Sequence, residues 1–157
     1  MKKLIATLFG AGWFPWMPGT FASALAVPLA VTVHVIGGFP ILVAATIGLF
    51  LVGWWSVAQP GANDPAEFVI DELAGQFIAI WPYSAWLWMR EIGVSANHWP
   101  ILICALLLFR FFDIVKPWPI SAIDERHDSL SIMLDDIAAG IAAAAILAAA
   151  LLILEVT

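Results

Sequence analysis

Residues 131–154, SIMLDDIAAGIAAAAILAAALLIL, form an apolar run that is interrupted near its beginning by the acid pair Asp135-Asp136. A helix needs about 20 predominantly apolar residues to cross the roughly 30 Å hydrocarbon core of a bilayer. Acidic side chains inside such a segment are costly unless they are paired or bound to cations. This stretch therefore predicts a membrane-spanning helix that carries chemistry near one of its ends.

The composition of the whole chain is that of a membrane protein. Of its 157 residues 63% are hydrophobic and 11% are charged, and the mean hydropathy is +0.98. A soluble domain has about 45–50% apolar and about 25% charged residues, so much of this surface must face lipid. The length predicts a single domain over residues 1–157. Nucleic acid is excluded as a partner, because no basic patch is present to neutralise its phosphates.

Turn-rich patches divide the sequence into further apolar segments. They predict an all-α, membrane-integral bundle of about five transmembrane spans, preceded by a short N-terminal interfacial segment. Gly37-Gly38 predicts a tight turn between the first two spans. The predicted spans are 21–36, 40–58, 68–89, 99–114 and 131–154.

Basic residues predict the orientation, because cytoplasmic loops carry an excess of Lys and Arg. A cytoplasmic N-terminus leaves Arg90 as the one basic residue outside and places the others inside, namely Lys2, Lys3, Arg110, Lys116 and Arg126. The same threading gathers most of the polar candidates at the cytoplasmic end of the bundle: Thr20, Asp64, Asp71, Glu72, Asp113, Asp135 and Asp136.

Two acid pairs, Asp71-Glu72 and Asp135-Asp136, lie just inside predicted helix starts. Each is followed one turn later by a glycine, Gly75 or Gly140, and small residues let two helices approach closely. Four carboxylates brought together need a compensating charge, and an oxygen-rich site of this kind suits Mg²⁺. The alternative is that the acids complement the helix macrodipole, which accounts poorly for two doublets within apolar helices.

Arg110, Asp113 and Lys116 are spaced three residues apart, which predicts that they share one face of a helix end that Pro117 terminates. They could clamp a phosphate, with Asp113 orienting the cations or joining a metal shell. Alternatively, the two basic residues are interfacial anchors and Asp113 is their counter-ion. Thr20, just before a predicted helix, could help to bind an anion or could simply cap that helix.

Four stretches of the chain resemble the phosphatidylglycerophosphatase A family. They occur in the family's order across nearly the whole length of the chain, and together they cover roughly a quarter of it. The third and fourth are the most specific. The stretches are 17–20 (MPGT), 64–75 (DPAEFVIDELAG), 109–120 (FRFFDIVKPWPI) and 132–140 (IMLDDIAAG).

The resemblance implies a Mg²⁺-dependent enzyme of the bacterial inner membrane that removes the terminal phosphate of phosphatidylglycerophosphate at the cytoplasmic face. Its lipid substrate would reach the site from the bilayer. Catalysis would involve Asp71, Glu72, Asp113, Asp135 and Asp136. The metal would be held by Asp64, Asp71, Glu72, Asp135 and Asp136. From the spacing of the residues themselves, we expect the substrate phosphate to be bound by Arg110, Lys116 and Thr20. Residues 128–131 depart from the Gly-rich family pattern, so the reaction type is better determined than the head-group selectivity.

Two other classes of protein compete with this interpretation. A small transporter could use intramembrane carboxylates to carry protons or cations, but it would distribute acids through the membrane depth and over both faces. A structural subunit would leave the paired acids unexplained. The sequence leaves open the identity of the general base, the number of metal ions, and the choice between direct attack by water and a phospho-enzyme intermediate.

Overall fold

The computed structural model describes residues 1–58, 67–126 and 128–156, and among these residues it contains helices and no strand. The predicted all-α class is therefore confirmed. Short 3₁₀ segments cover Leu8–Trp13 and Ala96–His98. The α-helices are α1 (Lys2–Ala6), α2 (Pro18–Val57), α3 (Ile70–Arg90), α4 (Trp99–Val115), α5 (Ile120–Asp124) and α6 (Ser131–Val156).

Helix α2 folds back on itself at Gly37-Gly38. Both glycines leave the helical conformation, and Gly38 has a φ of 69°, a backbone region that suits a residue without a Cβ. A straight helix of its 40 residues would be about 60 Å long. Instead, Gly19 at its beginning lies against Glu72, and Gly53 near its end lies against Ile70. Both ends therefore meet the start of α3, which confirms the predicted tight turn.

Three helical stretches are long and apolar enough to cross a membrane: Pro18–Val57, Ala96–Val115 and Ser131–Ile153. The first of these stretches contains the reversal at Gly37-Gly38 and therefore consists of two helical arms. Helix α3 lies at the centre of the bundle, with most of its side chains covered by protein. The structure thus gives three candidate spanning helices, and the predicted count of about five spans stays a prediction.

The core is built around α3, which packs against both α2 and α6. Its side chains Phe77, Ile80 and Tyr83 are buried in one apolar cluster together with Leu42 of α2 and Leu147 of α6. In a bilayer such packing stabilises the bundle through van der Waals contacts, because lipid chains are as apolar as these side chains. The polar start of α3 is therefore held in place by the apolar packing of the turns that follow it.

Helices α3 and α6 approach most closely at two glycines. A Cβ added at Gly140 would lie 2.4 Å from the carbonyl oxygen of Gly75, and one added at Gly75 would lie 2.6 Å from the carbonyl oxygen of Asp136. These neighbours are backbone atoms, which cannot rotate away as a side chain could. The predicted close approach is therefore confirmed, and it brings the two acid pairs to the same end of the bundle.

The N-terminal segment crosses the chain just before α3. The Val69 amide donates a hydrogen bond to the carbonyl oxygen of Ala6 (2.9 Å). Glu67 accepts a hydrogen bond from the Trp13 indole (3.0 Å) and forms an ion pair with Lys3 (2.8 Å). Trp16 in the same segment is 80% exposed, as an aromatic residue at a membrane interface would be.

We predict that Gly140→Ala destabilises the protein by about 1–3 kcal/mol, because overpacking against backbone forces the two helices apart. Gly48→Ala is the matched control, since a Cβ added at Gly48 meets nothing within 4 Å. The measurement is thermal unfolding of the detergent-solubilised protein. A midpoint for Gly140→Ala equal to that of Gly48→Ala would contradict the close approach of α3 and α6.

Candidate active site

A cavity of about 480 Å³ opens at one end of the bundle, where α2, α3 and α6 begin and α4 ends. Every predicted site residue that lies in the described part of the chain lines this cavity. Asp64 lies outside the described residues. The lining consists of Met17, Pro18, Gly19, Thr20, Phe68, Asp71, Glu72, Arg110, Asp113, Ile114, Lys116, Asp135 and Asp136.

Three carboxylates form the acidic wall of the cavity. Asp71, Glu72 and Asp136 each place one oxygen within 4.8 Å of the others. Asp71 and Asp136 are buried, and the Oε2 atom of Glu72 is buried with no hydrogen-bond partner among the described residues. Like charges at this separation repel strongly in a partly dehydrated space. The cluster is therefore stable only when its charge is reduced by a cationic side chain, a bound cation or a retained proton.

Arg110 supplies positive charge where α2 meets α4. Its guanidinium forms an ion pair with Asp113, which confirms that residues 110 and 113 share one face of the helix end. The Nη1 atom also donates to the Ser23 hydroxyl (3.5 Å), which in turn donates to the Gly19 carbonyl oxygen (2.8 Å). A side chain at Gly19 would displace the ends of Glu72 and Arg110, since a Cβ there would lie 2.2 Å from Glu72 Oε1 and 3.3 Å from Arg110 Nη1.

Lys116 supplies the second positive charge, from a different direction. Helix α4 ends at Val115, and Lys116 adopts a left-handed conformation with a φ of 44°, so it leaves the face that Arg110 occupies. Its ammonium donates to Asp124 and to Asp135, each at 2.6 Å. Burial by itself would lower the pKa of Lys116, but the two carboxylates outweigh that effect and raise the pKa above its ordinary value.

Thr20 faces the cavity from the first turn of α2. The N-cap of α2 is Met17, so the alternative in which Thr20 caps this helix is wrong. Its hydroxyl oxygen is buried and has no hydrogen-bond partner among the described residues. The first backbone N–H groups of any helix also lack partners within the helix. Thr20 therefore lies where an anion could be bound.

The donor set fits a divalent metal ion. The three clustered carboxylates offer hard oxygen ligands, which Mg²⁺ prefers, and the unpartnered Glu72 oxygen faces the same space as Asp71 and Asp136. Asp135 differs from these three, because its Oδ2 atom forms an ion pair with the ammonium of Lys116. Asp113 lines the cavity as the partner of Arg110.

The sequence had given no role to two residues that support the site. Asp124 follows Lys116 by eight residues and reaches it because Pro117 and the short helix α5 turn the chain back. Ser23 connects α2 to Arg110 across 87 residues of sequence. Neither contact follows a helical period, so the spacing of residues alone could not have revealed it.

Comparison with known proteins places these motifs in one family. The profile described as phosphatidylglycerophosphatase A matches residues 4–151 of the chain. The phosphatidylglycerophosphatase A of Haemophilus influenzae is 34% identical over 143 residues, which cover 88% of this chain and 81% of the relative. The protein of the same name from Escherichia coli is 30% identical over 149 residues, which cover 92% and 80% of the two chains.

A third relative carries a different substrate in its name. A Bacteroides thetaiotaomicron protein, named provisionally as a phosphatidylinositol-3-phosphatase, is 29% identical over 151 residues, which cover 90% of this chain and 87% of the relative. No solved structure matches the chain. The family profile spans nearly the entire sequence, and the predicted site residues that the structure describes line the cavity. The chain therefore belongs to the phosphatidylglycerophosphatase A family, whose members are lipid phosphomonoesterases.

Proposed function

We propose that this protein hydrolyses the terminal phosphomonoester of phosphatidylglycerophosphate to give phosphatidylglycerol and inorganic phosphate. One observation carries the proposal: a single cavity joins three clustered carboxylates to the two cations Arg110 and Lys116. A phosphomonoester has about two negative charges at neutral pH. It can bind beside carboxylates only where positive charge compensates both groups. The names of the Haemophilus influenzae and Escherichia coli relatives support the same reaction.

We propose Mg²⁺ as the cofactor and Asp71, Glu72 and Asp136 as the residues that hold it. Their oxygens are close enough to share one cation. When bound, the ion supplies positive charge beside the phosphate and favours ionisation of a neighbouring water. Asp135 has a different role in this proposal, since its carboxylate orients Lys116.

The cations and Thr20 bind the phosphate. The guanidinium of Arg110, held by Asp113 and Ser23, presents a planar fork that matches two phosphate oxygens. An ammonium group has three N–H donors, and Lys116 uses two of them on Asp124 and Asp135, so the third can reach the phosphate. The buried Thr20 hydroxyl adds a donor at the start of α2.

Hydrolysis then requires a water in line with the leaving glycerol oxygen, and a base that accepts the proton of this water. The water oxygen forms a bond to phosphorus as the bond to the glycerol oxygen breaks. A carboxylate that does not hold the metal accepts the proton of the water, and the glycerol oxygen takes up a proton as it leaves. Arg110 and Lys116 stabilise the charge on the phosphoryl oxygens during the transfer.

The arrangement of acids argues against a transporter. A carrier of protons or cations needs polar groups along a path through the membrane. In the described part of the chain, the candidate acids line one cavity at one end of the bundle. At the other end, Glu91 is exposed on the turn that follows α3.

We further propose that the chain crosses the inner membrane five times, with the cavity on the cytoplasmic side. The reversal of α2 provides two crossings, and α3, α4 and α6 provide one each. In this topology Lys116 and Arg110 lie on the cytoplasmic side, together with the N-terminus. The excess of basic residues at that end supports this orientation.

Replacement of a proposed metal ligand should abolish activity without unfolding the protein. We expect Asp136→Asn to lose at least about 10²-fold in kcat, on the scale of other lost electrostatic contacts. Chelation should stop the native enzyme reversibly, and added Mg²⁺ should restore it. Glu91→Gln is the control, because Glu91 is exposed at the far end of the bundle. Phosphate release is the measurement, and full activity in chelator would disprove the metal proposal.

Lys116 should contribute to turnover and not only to anchoring. Lys116→Ala should lower kcat about 10²–10³-fold. Lys116→Arg should recover only part of that loss, because a planar fork replaces a point charge. Arg126→Ala is the control, since Arg126 forms an exposed ion pair with Asp128. Turnover per folded molecule is measured, with membrane abundance determined separately, and near-normal kcat in Lys116→Ala would refute phosphate binding by this lysine.

The orientation can be tested with single cysteines in a Cys104→Ser background. Ala122→Cys, in the exposed part of α5, should react with an impermeant thiol reagent only from the cytoplasmic side. Gly93→Cys, at the opposite end of the bundle, should react only from outside. Labelling of Ala122→Cys in intact cells would reverse the proposed orientation, and labelling of both positions from one side would rule out the five-span topology.

A further inference from the structure

The first half of α2 carries a line of exposed apolar side chains that leads to the cavity. Met17, Phe21, Ala24 and Pro28 are all exposed, and their spacing of four, three and four residues keeps them on one face of the helix. Met17 also lines the cavity. The line extends about 16 Å from the cavity, at 1.5 Å per residue.

Helix α4 carries a matching line. Ile103, Leu107, Phe111 and Ile114 are exposed by 44%, 63%, 54% and 63%. Ile114 lines the cavity, as Met17 does. The line covers the same number of residues as the line on α2. Both are close to the thickness of one leaflet, which is about half of the roughly 30 Å hydrocarbon core.

The two helices that carry these lines are neighbours. Arg110 on α4 contacts Ser23 on α2 (3.5 Å), and deeper in the bundle Ala26 and Ala105 are buried in one apolar cluster. Helix α2 begins at the cavity and α4 ends there, so both lines run away from it in the same direction. We call this surface the α2–α4 seam, defined by Met17, Phe21, Ala24, Pro28, Ile103, Leu107, Phe111 and Ile114.

We propose that the acyl chains of the lipid substrate lie along the α2–α4 seam while the phosphate occupies the cavity; this inference rests on the proposed function. A lipid phosphomonoester must bring a doubly charged group to the cations without removing its chains from an apolar medium. The seam provides this path, since its apolar surface is continuous with the cavity wall at Met17 and Ile114. Of the cavity's apolar lining residues, these two are the exposed ones.

The residues around the opening of the cavity also support this position of the acyl chains. Acids and cations line the inner part of the cavity, and Arg110 reaches both Ser23 and Asp113 directly behind the seam. A phosphate held by Arg110 would therefore leave its glycerol portion at the rim. The rings of Phe14 and Phe21 stack with centroids 4.4 Å apart, so the part of the seam next to Met17 has a further apolar neighbour.

Polar substitutions in the seam should reduce the preference for long-chain substrate. The experiment compares kcat/KM for dioleoyl phosphatidylglycerophosphate in mixed micelles with that for the dihexanoyl form below its critical micelle concentration. In Phe21→Gln/Leu107→Gln the long-chain to short-chain ratio should fall about tenfold, because an amide without a partner is unfavourable beside an acyl chain. Neither residue lines the cavity.

The matched control is Leu51→Gln/Ile141→Gln, which changes two apolar residues exposed by 53% and 56% on other faces of the bundle. Its ratio should remain within twofold of the native value. Equal ratios in the seam variant, the control and the native protein would overturn the inference. Absence of activity on both lipids in the native protein would instead refute the proposed function, and the labelling experiment below would still test the seam.

Photolabelling of the native protein tests the seam without any substitution. The probe is a phosphonate analogue of phosphatidylglycerophosphate with a diazirine on its acyl chain. It should label α2 and α4 at the seam more strongly than the surfaces around Leu51 and Ile141. A phosphatidylcholine with the same diazirine should label all these surfaces alike. If the phosphonate probe gives the same even pattern, the seam contacts only bulk lipid and the inference is wrong.

Discussion

The contact between Gly75 and Gly140 is the constraint on which the rest of the structure depends. At this point two helix backbones touch, and no side chain separates them. One turn before each glycine stands an acid pair, so the distance between the pairs is set by backbone packing and not by the acids themselves. Carboxylates would move apart if they were free to do so. The apolar packing of α3 in the centre of the bundle supplies the force that keeps them together.

The two cationic side chains of the cavity, Arg110 and Lys116, are held by different partners. Arg110 sits inside the protein between α2 and α4 with Asp113 as its partner, whereas Lys116 bridges α5 and α6 through Asp124 and Asp135. Each cation is thus fixed by groups other than the three clustered carboxylates. An ion pair that is preorganised in this way needs little rearrangement when charge develops nearby. A cavity of about 480 Å³ is thus lined by acidic and basic side chains whose charges do not cancel completely.

Much of this could be predicted from the sequence, because it depends on local spacing. The apolar runs predicted an all-α bundle, the glycines predicted the α3–α6 contact, and Gly37-Gly38 predicted the turn within α2. The order of the predicted spans placed the candidate site residues at one end of the bundle, and those that the structure describes line one cavity there. The contacts that could not be predicted depend on the path that the chain takes after a helix ends. Lys116 was expected to share a face with Arg110, but its left-handed conformation directs it to Asp124. No periodic pattern contains that information.

The distribution of the site over α2, α3, α4 and α6 has a consequence for biosynthesis. Asp71 and Glu72 leave the ribosome before Arg110 and Lys116, and Asp136 follows all of them. During synthesis the membrane therefore contains acids whose cations have not yet been translated. The acidic wall is complete only when the last helix has been made, because Asp136 lies on α6. The site that we propose is therefore assembled only at the end of synthesis.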